Sequence, residues 1–352
     1  PIYNKERNFI RKSLGISMII NPEYSAAMEI SRLLRFPSAI KLDTFAKGRV
    51  ELMKFKILPE FRLDGLSVME IVDNLKCNVL ICGVERDSEV FIPSGNFVLK
   101  DYDFISIIAS PANSAKFFKK IGVTTNQVKN AMIVGGGTLG YYLAALLDEL
   151  KIHVRMVESN VSRCEELSEL LPRITVICGD GTDKKLLLEE GLTQTEAFVT
   201  LTNMDEENIL LSLFAKKNSH AKLITKVNRI AFDDIIDGLD LGSVIYPKYI
   251  TADYILRYVR AMENSLSSNV ETLYHILDGQ AEALEFAVKE SSSITNTPLS
   301  DLNLKDNLLI ACINRNGNIQ IPRGQDTIQV GDTVVVVTSI PGLRDLKDIL
   351  KK

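Results

Sequence analysis

Residues that commonly build metal sites or disulfide frameworks are scarce in this chain of 352 residues. It has no tryptophan, and its three histidines and five cysteines form neither a CxxC pair nor an HExxH motif. We therefore expect no zinc site and no disulfide framework. An odd number of cysteines without such spacing fits a protein of the reducing cytoplasm. The cysteines are Cys77, Cys82, Cys164, Cys178 and Cys312.

Clustered positive charge and long apolar runs are also missing. Lysine and arginine number 41 against 45 aspartate and glutamate, which gives a net charge of -4, and no long basic run occurs. Nonspecific nucleic-acid binding needs clustered cations, so we expect no nucleic-acid partner. The longest apolar stretch, residues 131–147, holds four glycines. It is also shorter than the about 20 residues that a membrane-spanning helix needs.

A glycine-rich motif, GGGTLG at residues 135–140, lies between a run of strand character and a run of helix character. Gly135 allows a tight turn, Gly137 lets backbone amides approach a pyrophosphate, and Gly140 allows the helix to pack closely on the strand. The diphosphate would lie at the positive end of a helix that begins near Thr138. The motif therefore predicts a nucleotide-binding site.

An acidic residue stands where such a site needs one. Glu158 ends a second predicted strand, residues 151–157. A carboxylate there can accept hydrogen bonds from both hydroxyls of an adenosine ribose, and it would repel a 2′-phosphate. The sequence thus favours NAD or an adenine nucleotide over NADP. The alternative is a packing turn beside an unrelated surface glutamate.

Apolar β runs alternate with amphipathic helical runs through the second half of the chain. We predict strands near residues 131–134, 152–157, 174–178, 197–201, 222–227 and 243–245. This alternation predicts an α/β fold with a doubly wound parallel sheet that binds its ligand at the carboxyl ends of the strands.

Polar residues after the second and third strands are further candidates for ligand contacts. Asp180 and the backbone at Gly181 could contact an adenine edge, although Thr182 could instead cap the next helix. Arg163 could stack on adenine or pair with a phosphate. It could equally be a solvated arginine paired with Glu166 three residues on.

The fourth and fifth strands are also followed by candidates. Thr202 and Asn203 could contact a ribose or phosphate, while Asn203 could also cap the next helix in a capping box with Glu206. Lys226, at the end of the fifth strand, could offer a positive charge to a phosphate. Its alternative is a surface lysine at a strand end.

Two internal correspondences indicate duplication. Residues 79–110 align without a gap on residues 308–339, and each copy predicts a strand, a turn, a short strand, a Pro-x-Gly turn and a final strand. Matched residues include Arg86 with Arg315, Gly95 with Gly324, and Asp103 with Asp332. The repeat predicts two copies of a small α+β module.

The second correspondence relates residues 14–35 to residues 239–260. In the later copy this segment ends the nucleotide-binding domain. We therefore expect residues 1–48 to be the tail of an earlier nucleotide-binding domain whose glycine loop would precede residue 1. On this hypothesis the chain is a fragment, or its first copy has degenerated.

These motifs resemble the TrkA family of potassium-uptake regulators, which consist of repeated RCK units. The matching segments are GGGTLG at 135–140, MVES at 156–159, SRCEEL at 162–167, GDGT at 179–182, LTNMDEEN at 201–208 and KVNR at 226–229, with the helix after Pro247 and the two Pro-x-Gly modules. The resemblance implies a Rossmann-like sheet plus two small α+β RCK C-terminal modules. It divides the chain into a remnant of a first RCK nucleotide-binding domain (1–48), a first RCK C-terminal module (49–122), a second nucleotide-binding domain (128–264) and a second C-terminal module (265–352).

The resemblance implies a regulator and not an enzyme. The expected protein is a nucleotide-sensing homo-oligomer, cytoplasmic and peripheral on the inner face of the cell membrane, that binds NAD(H) or ATP/ADP. Its expected partner is a Trk-type potassium-transporting membrane subunit, which it would gate. The candidate binding residues are Gly135, Gly136, Gly137, Thr138, Leu139, Gly140, Glu158, Arg163, Asp180, Gly181, Thr202, Asn203 and Lys226. The alternatives are an NAD-dependent oxidoreductase and the regulatory domain of another cation channel or efflux system.

Overall fold

A computed structural model describes residues 16, 18–35, 39–45, 49–87, 89–123, 127–229, 236, 238–239, 241–267, 270–276, 280–340 and 342–351. Its described strands form one parallel and two antiparallel sheets. The described residues divide into two compact units, one drawn from 1–38 and 126–254 and the other from 39–125 and 255–352. No helix within these ranges combines the length and apolar character needed to cross a membrane.

The first helix, α1 (Pro22–Arg35), precedes a five-stranded antiparallel sheet. Its strands, in the spatial order β1-β2-β5-β3-β4, are β1 (Lys41–Phe45), β2 (Val50–Lys56), β3 (Val79–Arg86), β4 (Glu89–Phe91) and β5 (Phe104–Ala109). Two helices belong to this module, α2 (Val68–Leu75) and α3 (Pro111–Lys120). Helix α2 begins at a capping box in which Ser67 Oγ accepts from Glu70 N and the Glu70 carboxylate accepts from Ser67 N.

A six-stranded parallel sheet follows, in the spatial order β11-β10-β9-β6-β7-β8. Its strands are β6 (Asn130–Val134), β7 (His153–Glu158), β8 (Thr175–Cys178), β9 (Ala197–Thr200), β10 (Lys222–Lys226) and β11 (Ser243–Ile245). Its helices are α4 (Thr138–Glu149), α5 (Val161–Leu170), α6 (Lys184–Glu189), α7 (Asp205–Asn218) and α8 (Pro247–Ser267). Every bound in the predicted series of six strands lies within one residue of the observed one, and the earlier start given for the second strand, residue 151, lies two residues away. The predicted doubly wound sheet is confirmed.

The strand order reverses between β6 and β9, which are neighbours although β7 and β8 come between them in sequence. Every residue of 131–134 and of 197–200 is buried, as expected where helices cover both faces of a parallel sheet. Chain connections leave in opposite directions at such a point, which is where folds of this kind bind their ligands. The glycine motif follows β6 and so lies at this point of the sheet.

Helix α1 packs on α4 within the unit that contains the parallel sheet. Asn21 Nδ2 donates to the Tyr142 hydroxyl at 3.1 Å, and the Tyr24 and Tyr142 rings meet edge to face with centroids 5.5 Å apart. The far end of α1 is also attached, since Val128 N donates to Leu34 O at 3.2 Å. The assignment of residues 1–48 to an earlier nucleotide-binding domain stays a prediction, and residues 1–15, 17, 36–38 and 46–48 lie outside the described ranges.

A second five-stranded antiparallel sheet ends the chain, in the spatial order β12-β13-β16-β14-β15. Its strands are β12 (Val270–Ile276), β13 (Ala281–Ala287), β14 (Leu308–Arg315), β15 (Asn318–Gln320) and β16 (Thr333–Thr338). The four short 3-10 helices of the chain's described part are Pro59–Phe61, Leu192–Gln194, Leu299–Asp301 and Leu346–Ile349. The order of the strands repeats that of the first antiparallel sheet, so the predicted duplication has a structural counterpart.

Each antiparallel module has an arginine–aspartate pair, and the two modules have one apolar core in common. Arg86 contacts Asp103 at 2.6 Å and Arg315 contacts Asp332 at 2.8 Å, at corresponding positions of the repeat. Their sheets pack against each other through buried apolar residues. This shared core contains Phe45, Val50, Leu52, Cys82 and Ile108 from the first module, and Ala281, Ala283, Ala311, Cys312, Val335 and Val337 from the second. The two modules are therefore held together, within one unit, by apolar side chains that are buried between their sheets.

Candidate nucleotide-binding site

The glycine motif forms a tight turn between β6 and α4. Gly135 has φ of 109°, and a Cβ atom there would lie 2.9 Å from the backbone carbon of Leu201. A Cβ atom on Gly140 would lie 2.2 Å from the carbonyl oxygen of Gly135. Both distances are too short for any side chain, so these two glycines allow β6, β9 and α4 to approach one another closely.

Gly137 lies in different surroundings. It is the N-cap of α4, and a Cβ atom built on it would meet nothing within 4 Å. Glycine has no side chain that could cap the helix. The amides of the first turn, such as those of Thr138 and Leu139, therefore receive no hydrogen-bond acceptor from the N-cap residue. Such a helix end attracts anions through its amides and its dipole.

Glu158 is attached to the glycine loop. Its Oε2 atom accepts from Gly136 N at 2.8 Å, and its Oε1 atom accepts from Asn160 N at 2.8 Å. A Cβ atom on Gly136 would lie 3.0 Å from that Oε2 atom and 2.6 Å from Leu167 Cδ1, which explains the glycine at the variable position of the motif. The carboxylate of β7 and the loop of β6 thus form one structure, and Glu158 is not the unrelated surface glutamate of the alternative interpretation.

Arg163 makes one predicted contact and one that was not predicted. Its Nη1 atom contacts Glu166 Oε2 at 2.6 Å, which is the expected ion pair, and its Nε atom donates to Gly136 O at 2.8 Å. The backbone of Gly136 is therefore held at both of its polar groups, the N–H by Glu158 and the carbonyl by Arg163. The contact of Arg163 with adenine or a phosphate stays a prediction.

A buried amide joins the ends of β9 and β10. Asn208, on α7, donates from Nδ2 to Thr202 O at 3.1 Å and to Lys226 O at 3.0 Å. Its Oδ1 atom accepts from Thr202 N and from Thr202 Oγ1, each at 2.9 Å. Asn208 ends the family motif LTNMDEEN, but no role was predicted for it. A polar residue on the helix face that covers the sheet was the feature of the sequence that could have indicated this role.

The predicted capping box at Asn203 and Glu206 is wrong. Helix α7 begins at Asp205, its N-cap is Met204, and Asn203 is exposed. The N-cap has no side-chain capping hydrogen bond, and Thr202 Oγ1 accepts from Met204 N at 3.3 Å just before the helix begins. Glu206 pairs instead with Arg229 at 3.1 Å.

Asp205 ties the start of α7 to the loop after β10. Its carboxylate accepts from Asn228 N at 2.9 Å, from Asn228 Nδ2 at 3.1 Å and from Arg229 N at 2.8 Å. The residue is 6% exposed. Sequence reasoning missed this role because the aspartate and its partners lie more than twenty residues apart.

Lys226 is not a surface lysine. It is 7% exposed, and its Nζ atom lies 3.4 Å from Leu201 O at the end of β9. Burial lowers the pKa of this ammonium group, while the negative charges of Asp205 and Glu23 oppose that shift. The sequence therefore places a positive charge among buried strand ends, beside the loop that follows β9.

Asp180 and Gly181 shape the loop after β8. Asp180 Oδ1 accepts from Thr182 N and from Thr182 Oγ1, each at 2.8 Å, and these bonds lower the pKa of Asp180. Helix α6 is capped by Asp183, so the interpretation of Thr182 as its cap is wrong. A Cβ atom on Gly181 would lie 2.4 Å from Val134 Cγ1, which brings this loop against the end of β6.

The loops after β6, β7, β8, β9 and β10 therefore meet at one end of the sheet. Contacts join Gly136 to Glu158 and Arg163, Gly181 to Val134, and Asn208 to Thr202 and Lys226. Asp180 turns its carboxylate toward its own loop, and Asn203 faces solvent. Within the described ranges no cluster of three or more His, Cys, Asp or Glu side chains could hold a metal ion. The ligand-binding roles of the candidate residues stay predictions.

A parallel sheet with a glycine loop at the reversal of its strand order is a Rossmann-like domain, here combined with two antiparallel modules. The family model for the TrkA-N domain matches residues 131–247, and that for the TrkA-C domain matches residues 283–351. The chain belongs to the TrkA family. It is 30% identical over 291 residues to Trk system potassium uptake protein trkA homolog 1 of Methanosarcina mazei, covering 82% of this chain and 70% of that protein.

Other relatives match over nearly the whole chain. The Trk system potassium uptake protein TrkA homolog of Archaeoglobus fulgidus is 29% identical over 338 residues, which cover 96% of this chain and 74% of the relative. The Trk system potassium uptake protein TrkA of Haemophilus influenzae is 28% identical over 341 residues, which cover 95% and 72%. The predicted family resemblance is confirmed.

Solved structures match the fold. The crystal structure of the GsuK RCK domain aligns with a TM-score of 0.55 at 15% identity, covering 96% of this chain and 70% of that one. The structure of the GsuK channel bound to NAD aligns with a TM-score of 0.53 at 16% identity, covering 96% and 58%. At this identity the likeness concerns the fold alone, and it agrees with the predicted Rossmann-like and RCK architecture.

Proposed function

We propose that this protein is a regulatory, nucleotide-sensing subunit of a potassium-uptake system and that it binds NAD(H) at the glycine loop. The observation that carries the proposal is the contact between Glu158 and the Gly136 amide, which sets a ribose-binding carboxylate against a phosphate-binding loop. Relatives of this chain are named Trk system potassium uptake proteins, and one fold neighbour was solved bound to NAD. These names support the proposal.

In this proposal the pyrophosphate lies against residues 135–139 and is held by the amides of Gly137, Thr138 and Leu139 at the start of α4. The amides of Gly135 and Gly136 already donate to Val157 O and to Glu158 Oε2 and shape the turn. Glu158 retains acceptor capacity, because a carboxylate has about four lone-pair positions and two of them are occupied by the amides of Gly136 and Asn160. The ribose hydroxyls can therefore bind without displacing either amide. A 2′-phosphate would bring negative charge to this carboxylate, which disfavours NADP.

The remaining candidates would bind the outer parts of the ligand. Arg163 and Asp180 would lie near the adenine, with the Gly181 backbone beside it. Thr202, Asn203 and Lys226 would lie near the second phosphate or nucleoside. Since the adenosine end is common to NAD(H), ATP and ADP, the same residues serve each of these ligands.

The proposed output is a change in the membrane partner and not a chemical reaction. A ligand can shift a regulatory protein only if it binds two conformations with different affinity. Asn208, Asp205 and the Gly136 contacts join the strand ends, so a bound nucleotide would act on several loops together. We propose that a homo-oligomer of this subunit acts on a Trk-type potassium-transporting membrane protein from the inner face of the membrane, with the four-part division at residues 1–48, 49–122, 128–264 and 265–352.

The first experiment is calorimetric titration of the purified protein with NADH, NAD, ATP and ADP. It is repeated with Gly137→Asp, whose carboxylate would enter the open space at the start of α4 and repel a pyrophosphate. We expect this variant to lose binding by at least about tenfold. Asn316→Asp is the matched control, since it adds the same charge at an exposed turn of the second module.

Equal binding by wild type and Gly137→Asp would contradict the proposed site. The oxidoreductase alternative predicts turnover of NADH with a carbonyl substrate, which absorbance measurements on the same samples detect. The channel and efflux alternatives predict copurification with a different membrane protein. Copurification with a Trk-type potassium subunit that changes on addition of NADH would support the proposal against both.

A further inference from the structure

Two cysteines meet beside Glu158 at the carboxyl end of β7. Cys178 ends β8 and is the register partner of Glu158 in the parallel pairing. Cys164, on α5, donates its thiol to the backbone oxygen of Glu158 at 3.3 Å, and the same oxygen accepts from Gly179 N at 2.9 Å. Both cysteines are free, and both adjoin the Glu158 carbonyl, Cys164 through its thiol and Cys178 through the amide of the next residue, Gly179.

The two thiols have different surroundings. Cys164 is buried, whereas Cys178 is exposed. Burial, the hydrogen bond and charge of Cys178, and the charge of Glu158 raise the pKa of Cys164 to about 11. Because the thiolate is the reactive form, the buried Cys164 is the less reactive of the two thiols toward an oxidant. Cys178 is therefore the thiol that meets an oxidant from solvent.

We propose that Cys164 and Cys178 are a redox pair whose oxidation to a disulfide weakens nucleotide binding at Glu158. The existence of the pair is independent of ligand binding, while its effect on the ligand rests on the proposed function. Neither thiol takes part in the contacts proposed above for the nucleotide. The pair is thus a modification site adjoining the ribose-binding carboxylate.

The oxidant is a peroxide, with hydrogen peroxide as the simplest case. The Cys178 sulfur attacks one peroxide oxygen, the O–O bond breaks, and water and a sulfenic acid result. The Cys164 sulfur then attacks the Cys178 sulfur, the S–S bond forms, and the S–O bond breaks. The Cys164 proton leaves with the hydroxyl group as a second water. Two thiols lose two electrons in total, and one peroxide is reduced to two waters.

The disulfide would change the backbone that carries Glu158. It removes the S–H donor to Glu158 O, and it links α5 covalently to the end of β8. Helix α5 begins after Asn160, whose amide binds the Glu158 carboxylate, and it carries Arg163, which holds Gly136 O. We expect the Kd for the nucleotide to rise by at least about fivefold, because the loss of one ordinary hydrogen bond changes a dissociation constant by about this factor.

The first arm of the test identifies the disulfide. Purified protein is treated with hydrogen peroxide, blocked with N-ethylmaleimide and digested with trypsin, which cuts after Arg163, Arg173 and Lys184 and so separates the two cysteines. We expect a disulfide-linked pair of the peptides 164–173 and 174–184. Cys178→Ser should abolish the link, and Cys164→Ser should leave a sulfenic acid on Cys178 that dimedone labels. Cys77→Ser is the matched control and should leave the link intact.

Failure of the folded protein to form this link would overturn the proposal, as would a link between two copies of the peptide 174–184. The second arm titrates NADH into reduced protein and into oxidised protein freed of peroxide. We expect weaker binding after oxidation, recovery with dithiothreitol, and no effect of peroxide on Cys178→Ser. Equal affinity in both states would overturn the coupling. If reduced protein binds no NADH, the proposed function fails, and the link alone decides whether the pair exists.

Discussion

At the scale of single residues, the candidate site depends on polar side chains that hold backbone in place. Asn208 is fully buried, and all of its polar capacity is used by Thr202 and Lys226 at the ends of β9 and β10. A buried amide of this kind stabilises because each partner would otherwise lie unsatisfied away from water. Asn208 positions the loop that carries Thr202, one of the candidate ligand contacts.

Asn208→Ala removes these hydrogen bonds and leaves Thr202 N and the carbonyls of Thr202 and Lys226 without their partner. We expect the free energy of unfolding to fall by about 2–4 kcal/mol, more than one ordinary hydrogen bond contributes, because several buried groups lose satisfaction. Urea unfolding without nucleotide measures this loss. Asn203→Ala is the control, and because Asn203 is exposed and caps nothing, its stability should change by less than about 0.5 kcal/mol. Similar losses of unfolding free energy in the two variants would contradict a stabilising role for the hydrogen bonds of Asn208.

At the scale of elements, α1 contributes to a unit that is remote from it in sequence. Its apolar face buries Ala26, Ala27, Ile30, Leu33 and Leu34, and its partner α4 begins at the glycine loop. Packing on α4 therefore supports the helix whose first turn would hold a pyrophosphate. The sequence repeat predicted a helix in this segment, but the repeat does not say which element it covers.

Ile30→Ala tests this packing. Ile30 is fully buried, and removal of its side-chain atoms should lower the free energy of unfolding by about 2–4 kcal/mol through lost burial and the cavity left behind. Amide hydrogen exchange should quicken in α4 as well as in α1, since the two helices support each other. Arg35→Ala, at an exposed position of the same helix, should leave exchange in α4 unchanged. Unchanged α4 protection in Ile30→Ala would contradict the contact.

At the scale of the whole molecule, the duplicated modules behave as one body within their unit because they share a core. Ile108 and Val337 occupy corresponding positions of the repeat, both are fully buried, and both belong to the shared core. Local pairs such as Arg86 with Asp103 are instead confined to a single module. Burial between the sheets should therefore couple the stability of the two modules.

Ile108→Ala should reduce the protection of amides in β14 and β16 as well as in its own sheet. The expected cost is about 2–4 kcal/mol, the range for truncation of a buried isoleucine. Ile71→Ala is the matched control, because Ile71 is equally buried on α2 but does not belong to the shared core. Hydrogen exchange followed by mass spectrometry measures both. Loss of protection confined to residues 49–123 in Ile108→Ala would show that the modules are independent.

The parallel sheet, the glycine turn, the start of α4 and the module repeat were determined by the sequence itself. Strand and helix periods, the steric freedom of Gly135 and an acidic strand end are local properties, and a pattern of a few residues reports them. Local patterns were less reliable for caps, because Met204 and Asp183 occupy the N-cap positions expected of Asn203 and Thr182.

Tertiary structure alone decided which polar groups meet. The attachment of Glu158 to Gly136, the burial of Lys226, the bonds of Asn208 and the approach of Cys164 and Cys178 to Glu158 all depend on residues from different strands and helices. Their partners and their burial depend on how the elements pack, and no periodicity along the chain encodes that packing. The sequence thus specified where the candidate loops begin, and the folded sheet brought those loops to one end and selected the side chains that hold them.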